Sequence, residues 1–414
     1  MKPAGTIPLP GWLQSQTTQT LLSCIPNAHE KVRFVGGCIR DTLLGLSVKD
    51  IDIATIYTPQ EMLKFIKEKY FKVIPIGIEH GSILAIINSQ TFEITTLRKD
   101  VETFGRYAKV AFTDDWLEDA KRRDFTINAL YLSPQGELYD PFEGQEDLKR
   151  GFIKFIGDPE LRVQEDYLRI LRFFRFLAHF GNEIIDHSSY EACKKFFSSL
   201  KLLSIERVHK EFLKLCSATN PVFAIQKMHE AKILDFLFST NKTFNEALLS
   251  RLIQLEKKYV PSNNENPLRR FYLLCISFSL SPLKEQDFFK FSKEEKNYLT
   301  TLDTLLGQRS LTDAILLYHY PKHLVLDCRL IEAALTNDNL KIEAFIAHLK
   351  TWQRPSFPLK GEDILQLSIP AGPQIGKYLH EIEDWWIKKD FLPNHADCLQ
   401  ELIHRLKYHP SNIS

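Results

Sequence analysis

The chain has almost no excess charge of either sign: 53 lysines and arginines against 52 aspartates and glutamates, a formal net charge of +1. No global basicity points to a nucleic-acid partner, so any such partner has to be held by local patches. Cysteine is sparse and scattered (Cys24, Cys38, Cys193, Cys216, Cys275, Cys328, Cys398), with no CxxC pair. An odd, unclustered set argues against a disulfide framework or a cysteine metal site and reads as reduced thiols. No apolar run is long enough to cross a bilayer; Phe271 to Leu280 suits a buried helix instead. Residues 1–10 carry prolines and no basic-then-apolar leader pattern. A soluble protein of the cytoplasm or of another reducing compartment is expected. Internal repeats and low-complexity tracts are also missing.

What is present is an ordinary globular composition, 44% hydrophobic and 25% charged. At 414 residues the chain suggests two to four domains. Up to about Gly151 strand-like runs alternate with helices. Residues 73–76 and 82–87 are rich in β-branched side chains, and residues 91–97 alternate as a half-buried strand does. Asn128 to Leu132, a Ser-Pro-Gln-Gly turn and Leu138-Tyr139 read as a hairpin. Beyond Gly151 the strand signals fade. Residues 164–180, 205–215 and 245–257 carry helical periodicity, with Ser204 as a helix cap. The expected fold class is α+β, a catalytic head followed by an all-α body.

The most informative stretch is Gly36-Gly37-Cys38-Ile39-Arg40-Asp41, followed by Asp50-Ile51-Asp52. It reads as strand (Val32, Phe34, Val35), glycine turn, short helix, loop and strand. Paired glycines let backbone N–H groups approach a phosphate with no Cβ in the way. Arg40 can add bidentate phosphate contacts. Side chains alternate along a strand, so Asp50 and Asp52 point the same way and can share a divalent ion. A triphosphate cradle beside a metal-binding carboxylate pair is the minimum equipment for nucleotidyl transfer with two metal ions. The order of these elements resembles the nucleotidyltransferase superfamily of DNA polymerase β type.

Three further motifs follow. Arg122-Arg123-Asp124-Phe125-Thr126-Ile127-Asn128 offers cations for a triphosphate, from Arg123, and polar groups for a ribose, from Asp124 and Asn128. Asp140-Pro141-Phe142-Glu143-Gly144 opens as a turn and reads as a connector closing the head. In Glu165-Asp166-Tyr167-Leu168-Arg169-Ile170-Leu171-Arg172-Phe173-Phe174-Arg175, a continuous helix sets Asp166 beside Arg169, with Glu165 buttressing Arg169. An Asp next to an Arg matches cytosine N4 with N3 and adenine N6 with N1. Uracil and guanine present the reverse order and would leave both side chains mismatched, at about 1–3 kcal/mol for each buried group. Arg172 stays near that pair, whereas Arg175 drifts roughly to the opposite side of the helix.

Together the four motifs resemble the class II tRNA nucleotidyltransferase family, the CCA-adding enzymes, whose head is shared with bacterial poly(A) polymerases. The match is dense through Ser204-Ile205-Glu206-Arg207 and thinner in residues 357–363 and 372–376. The resemblance implies template-independent addition of C, C and A to the 3′ end of tRNA from CTP and ATP. It makes Asp50 and Asp52 the catalytic carboxylates that hold two Mg²⁺ ions. It makes Gly37, Arg40 and Arg123 nucleotide contacts, Asp166 and Arg169 an amino-acid template, and Arg172 and Arg175 further nucleotide contacts. Glu93 is either a third carboxylate or an exposed strand residue. The implied division is a head over 1–150, a neck with the base-recognition helix over 151–215, a body over 216–345 and a tRNA-binding tail over 346–414.

Other activities stay in view. Residues 74–82 look like the CCA-adding version rather than the basic segment of poly(A) polymerases. Residues 98–114, including Gly105 and Arg106, keep a polar segment suited to reshaping the pocket from C to A, which CC-adding enzymes lack. An A-adding specialist is not separated by sequence. A non-catalytic RNA-binding protein is disfavoured by the intact Asp50 and Asp52, and no His-Asp dipeptide marks a fused phosphohydrolase domain.

Overall fold

The computed structural model describes residues 1–104, 107–261, 265–284, 289–308 and 310–408, with backbone alone for 100–104, 107–110 and 408. Its described residues form two compact units. One comprises residues 1–246, 265–267 and 275–290, and the other residues 247–261, 268–274 and 291–408.

The first unit is built on a mixed sheet. Its strands are β1 (Gly5–Thr6), β2 (Val32–Val35), β3 (Ile51–Thr55), β4 (Lys72–Gly77), β5 (Ser82–Ile87), β6 (Gln90–Thr96), β9 (Tyr131–Leu132) and β10 (Glu137–Tyr139), in the spatial order β1-β10-β9-β2-β3-β6-β5-β4. The β-branched runs thus become strands close to where the sequence puts them. Among the described strands only β3 and β6 pair in parallel; the chain between them runs through the helix α2 (Pro59–Lys67) and the β4–β5 hairpin. Strand β2 is the centre of the core, with Val32 and Phe34 fully buried. Even its charged residue is buried: the Arg33 guanidinium lies 4.1 Å from the Trp116 ring and 3.5 Å from Tyr139, a stacked cation–π arrangement.

The sheet register brings the first motif together. Phe34 of β2 faces Ile53 of β3 in an antiparallel pair. Continuing that register brings Gly36 level with Ile51, at the end of the sheet where Asp50 leads into β3. Gly36, with φ +75°, follows the end of β2, and the helix α1 (Gly37–Leu43) starts at once. Asp50 lies just before β3 and Asp52 within it.

Within the polar segment 98–114, β7 (Arg98–Phe104) and β8 (Tyr107–Phe112) pair as a two-stranded antiparallel ribbon. The named strands they pair with are each other. Gly105 and Arg106 lie outside the described residues.

Helices follow: α3 (Trp116–Lys121), α4 (Gly144–Arg150), α5 (Pro159–Glu165), α6 (Leu168–Phe180) and α7 (Ile205–Cys216). The continuous helix expected over 164–180 is interrupted. Asp166 is extended (φ −150°, ψ 106°), and its Oδ1 accepts the Leu168 N–H at 3.1 Å. A short acidic side chain has captured a backbone donor, ending one helix and starting the next. Ser204 occupies the cap position of α7, but its side chain accepts no hydrogen bond from that helix. An aromatic core of Phe125, Phe155, Phe173 and Phe176 (Phe125 to Phe155 centroids 4.8 Å) fixes α6 beneath the Arg123-Asp124 turn.

The second unit is helical; its longer elements include α8 (Glu246–Tyr259) from residue 247 on, residues 268–274 of α9 (Pro267–Ser277), α10 (Lys322–Thr336) and α11 (Pro373–Lys388). Within it, Arg269 and Arg270 are fully buried against Glu256, and Arg269 also reaches Asp327. Buried cations of this kind are tolerable only when paired.

Candidate active site

Eleven residues of the first unit line one open pocket of about 360 Å³: Gly36, Gly37, Arg40, Asp52, Arg123, Asp124, Asn128, Asp166, Arg169, Arg172 and Phe176. Residues from three of the sequence motifs therefore meet around a single space. A Cβ at Gly36 would make only ordinary contacts, 3.6 Å from the Asn128 carbonyl oxygen and 3.8 Å from Arg123 Nη1, so it is the positive φ that favours glycine there.

Each cation of the pocket is held by an anion. Arg40 donates to Asp41 Oδ1 at 2.8 Å and, through Nη1, to Asn128 Oδ1 at 2.8 Å. Arg123 donates to Tyr131 at 3.0 Å and to the buried Asp119 at 3.1 Å. Its site is desolvating, but Tyr131 and Asp119 together hold the guanidinium pKa above its ordinary value. Arg172 Nε donates to Asp124 Oδ2 at 2.7 Å, while Asp124 Oδ1 accepts from Asn128 at 3.0 Å. Burial pushes the Asp124 carboxyl up, and the Arg172 guanidinium and Asn128 more than reverse it, leaving its pKa well below the usual carboxylate range. Phe176 lies under this array, 5.4 Å from Arg40 and 5.3 Å from Arg172.

Asp52 stands out electrostatically. Burial, then the neighbouring Glu93, raise its carboxyl to about 6; Arg123 offsets part of this and Asp50 adds to it. Glu93 is the parallel register partner of Asp52 and is exposed, so it is both a strand-surface residue and a neighbour of the site. Asp50 is exposed and is not among the residues lining the pocket. Among the described residues no group of three or more His, Cys, Asp or Glu side chains is gathered as a ready-made metal cluster. The carboxylates nonetheless fit a divalent cation, because a buried acid crowded by two others is in a setting that a positive ion relieves.

Arg175 departs from expectation. It does not line the pocket; it pairs with Glu211 of α7 at 2.9 Å, and burial brings its pKa down to about 10 despite Glu211. A step of three residues from Arg172 turns it off the pocket face. The Asp166–Arg169 couple also differs in detail. Glu165 holds Arg169 at 2.5 Å, as expected, but the ion pair recorded for Asp166 runs to Arg207, at 2.9 Å.

Sequence reasoning missed several supporting residues. Phe176 falls four residues after Arg172, so helical spacing contained the signal. Arg162 is nearly buried and donates to the carbonyls of both Arg122 and Arg123 at 2.5 Å, besides pairing with Glu165. Its spacing from Glu165 was visible, but its carbonyl partners are about forty residues away. Arg207 lies 41 residues beyond its partner Asp166, with no spacing signal to link them. The seven cysteines are buried and none is in a disulfide, and burial raises Cys38 to about 12, so it is no nucleophile.

Residues 32–154 match the Poly A polymerase head domain, and residues 184–243 match a segment described as the probable RNA and SrmB-binding site of polymerase A. The chain is 31% identical over 387 residues to the mitochondrial CCA tRNA nucleotidyltransferase 1 of Danio rerio, covering 90% of this chain and 87% of that one. It belongs to the CCA-adding enzyme family. The CCA-adding enzyme of Streptococcus uberis is 32% identical, with 89% and 91% of the two chains covered. The structure of the Bacillus stearothermophilus CCA-adding enzyme in complex with CTP superposes with a TM-score of 0.72 over 96% of this chain and 98% of that one, at 23% identity, a likeness of fold. CCA-adding enzymes share the polymerase-type head seen here, which implies use of a divalent metal. The family includes mitochondrial members, so membership does not fix a compartment. No helix among the described residues is long and apolar enough to cross a membrane.

Proposed function

We propose that this chain adds C, C and A to the 3′ end of tRNA from CTP and ATP, with Asp166 and Arg169 selecting the base. The observation that carries the proposal is the single pocket onto which a carboxylate (Asp52), two phosphate-side arginines (Arg40, Arg123) and an Asp/Arg pair (Asp166, Arg169) all open.

In this reading Asp52, with Asp50, would hold Mg²⁺, which supplies charge neutralisation at the triphosphate and activation of the tRNA 3′ hydroxyl. The Gly36-Gly37 turn admits the phosphates close to backbone. Arg40 and Arg123 orient them, each already braced by its anion. Asp166 accepts from N4 of cytosine or N6 of adenine while Arg169 donates to N3 or N1. A uracil or guanine leaves both groups facing the wrong partner. Arg172 braces the Asp124–Asn128 side of the pocket.

The division into head (1–150), neck (151–215), body (216–345) and tail (346–414) is proposed as a functional one, with the tail and body gripping tRNA by its sugar–phosphate backbone. The deep major groove of A-form RNA hides the base edges, so this contact is expected to weaken steeply with salt.

The test is addition to a tRNA ending at its discriminator base, in Mg²⁺, with nucleotides offered singly and with CTP and ATP together. Extension by CCA followed by arrest, abolished in Asp52→Ala and Asp50→Ala, supports the reading. A long A tail would replace it with poly(A) synthesis, and addition of A to CC-ending tRNA alone would mark an A-adding specialist.

A further inference from the structure

Asp166 and Arg169 are three residues apart and of opposite charge, yet each is ion-paired to a third residue. Arg169 is held by Glu165 at 2.5 Å. Asp166 is held by Arg207, whose Nη2 lies 2.9 Å from Oδ2 and 3.2 Å from Oδ1, while Oδ1 also accepts the Leu168 N–H at 3.1 Å. Arg207 comes from the first turn of α7, 41 residues along the chain, and does not itself line the pocket.

An ionised carboxylate has about four acceptor positions. Three contacts to Asp166 are spoken for by the protein, and all come from the Arg207 and Leu168 side. The acceptor capacity left is what the pocket meets. The extended backbone at Asp166 sets the side chain off the helix, where α6 gives it no support beyond the Leu168 amide. Without Arg207 the carboxylate can turn about its side-chain torsions and swing onto Arg169, three residues on. The two base-reading groups would then satisfy each other, and a base offering a carbonyl beside an N–H would no longer meet two mismatched partners.

We propose that Arg207 is a positioning residue for base selection: by holding Asp166 away from Arg169 it keeps the pair open as acceptor and donor toward the incoming base. The inference rests on the base-reading role proposed for Asp166 and Arg169. Arg207 touches no nucleotide in this scheme; it acts through Asp166.

The experiment measures kcat/KM for CTP and for UTP on tRNA ending at the discriminator base, with the full chain and Mg²⁺. Wild type, Arg207→Met, Arg207→Lys, Asp166→Asn and the Asp166→Asn/Arg207→Met double variant are compared. Arg207→Met is expected to lower the CTP:UTP ratio by about 10- to 100-fold, the range set by one or two mismatched polar groups. Arg207→Lys is expected to fall between Arg207→Met and wild type. In the Asp166→Asn background the Arg207 change should lower the ratio no further, because coupled residues are not additive. Glu206→Gln serves as control, since Glu206 sits on the same first turn but pairs with Lys290 instead, at 2.6 Å. It should leave the ratio unchanged.

A CTP:UTP ratio kept in Arg207→Met while kcat falls would overturn the inference and leave Arg207 a structural residue. Equal loss of the ratio in Glu206→Gln would do the same, by tracing the effect to the helix start. If Arg207→Met does not fold, Arg207→Lys carries the test, and a wild-type ratio there counts against it. A wild type that fails to prefer CTP, or an Asp166→Asn that keeps the preference, would fell the base-reading proposal itself, and this inference with it.

Discussion

Arg172 and Asp124 are joined across 48 residues of sequence by a 2.7 Å hydrogen bond from Nε to Oδ2. Through Asp124 Oδ1 and Asn128 the connection continues to Arg40, so one polar chain runs from α6 to α1 along the pocket wall. Asp124→Asn keeps the shape but removes the charge. It is expected to cost about 2–4 kcal/mol, somewhat under the usual value for a broken buried pair because Arg172 remains 30% exposed. Urea denaturation reads the loss, and an unchanged midpoint would show that the chain does not hold the pocket.

Asp119 gives a pH prediction. Its side chain is 1% exposed; burial would raise its carboxyl, but Arg123, Arg122 and the Tyr131 hydroxyl bring it from 3.8 down to about 2. A depressed carboxylate stabilises the fold above its unfolded pKa and loses that contribution as pH falls toward the folded one. About 2–3 kcal/mol should therefore be present at neutral pH and fade between about pH 4 and 2. Asp119→Asn should be less stable than wild type at pH 7 by about that amount. The two stability curves should converge in acid; parallel curves would refute the assignment.

Asp52 tests the metal without an activity assay. In a metal-free protein its burial beside Glu93 and Asp50 is unfavourable, so Asp52→Asn is expected to raise the melting temperature by a few degrees, on the order of 1 kcal/mol. Millimolar Mg²⁺ should raise the wild-type melting temperature and leave the variant unmoved. An equal Mg²⁺ shift in both would place the ion elsewhere.

Gly144 tests the connector motif. Asp140 accepts the N–H groups of Gly144 at 2.7 Å and Gln145 at 2.9 Å, and the Gly144 backbone lies flat against Thr126. A Cβ there would fall 2.8 Å from the Thr126 carbonyl carbon and nearer still to its oxygen. Gly144→Ala should displace the turn that carries Asn128 and lower stability by about 1–3 kcal/mol, with a matching fall in nucleotide affinity. Full affinity with normal stability would show that the turn adapts freely.

Strands β4 to β6 were legible because β-branched runs bounded by turns are a local signal, and Asp52, Arg40, Arg123 and Arg169 because they lie inside compact motifs. Harder to see was the interruption at Asp166. The apolar period runs straight through it, and only a two-residue competition between its carboxylate and the Leu168 amide ends the helix. Arg207 and Glu211 were out of reach for another reason. Their partners, Asp166 and Arg175, lie 41 and 36 residues away in sequence, and no periodicity links them. Residues 98–114 were legible only as a polar segment, whereas cross-strand pairing shapes β7 and β8 within it.

The near-neutral composition acquires a meaning in the pocket. Arg40, Arg123, Arg169 and Arg172 each come with a resident carboxylate: Asp41, Asp119, Glu165 and Asp124. A cleft that carries its own counter-charges gathers few mobile ions when empty and has few to expel when filled. Loading of nucleotide should then be nearly indifferent to ionic strength, even though the grip on a polyanionic RNA is not, and the two substrates of one enzyme would answer differently to the same salt.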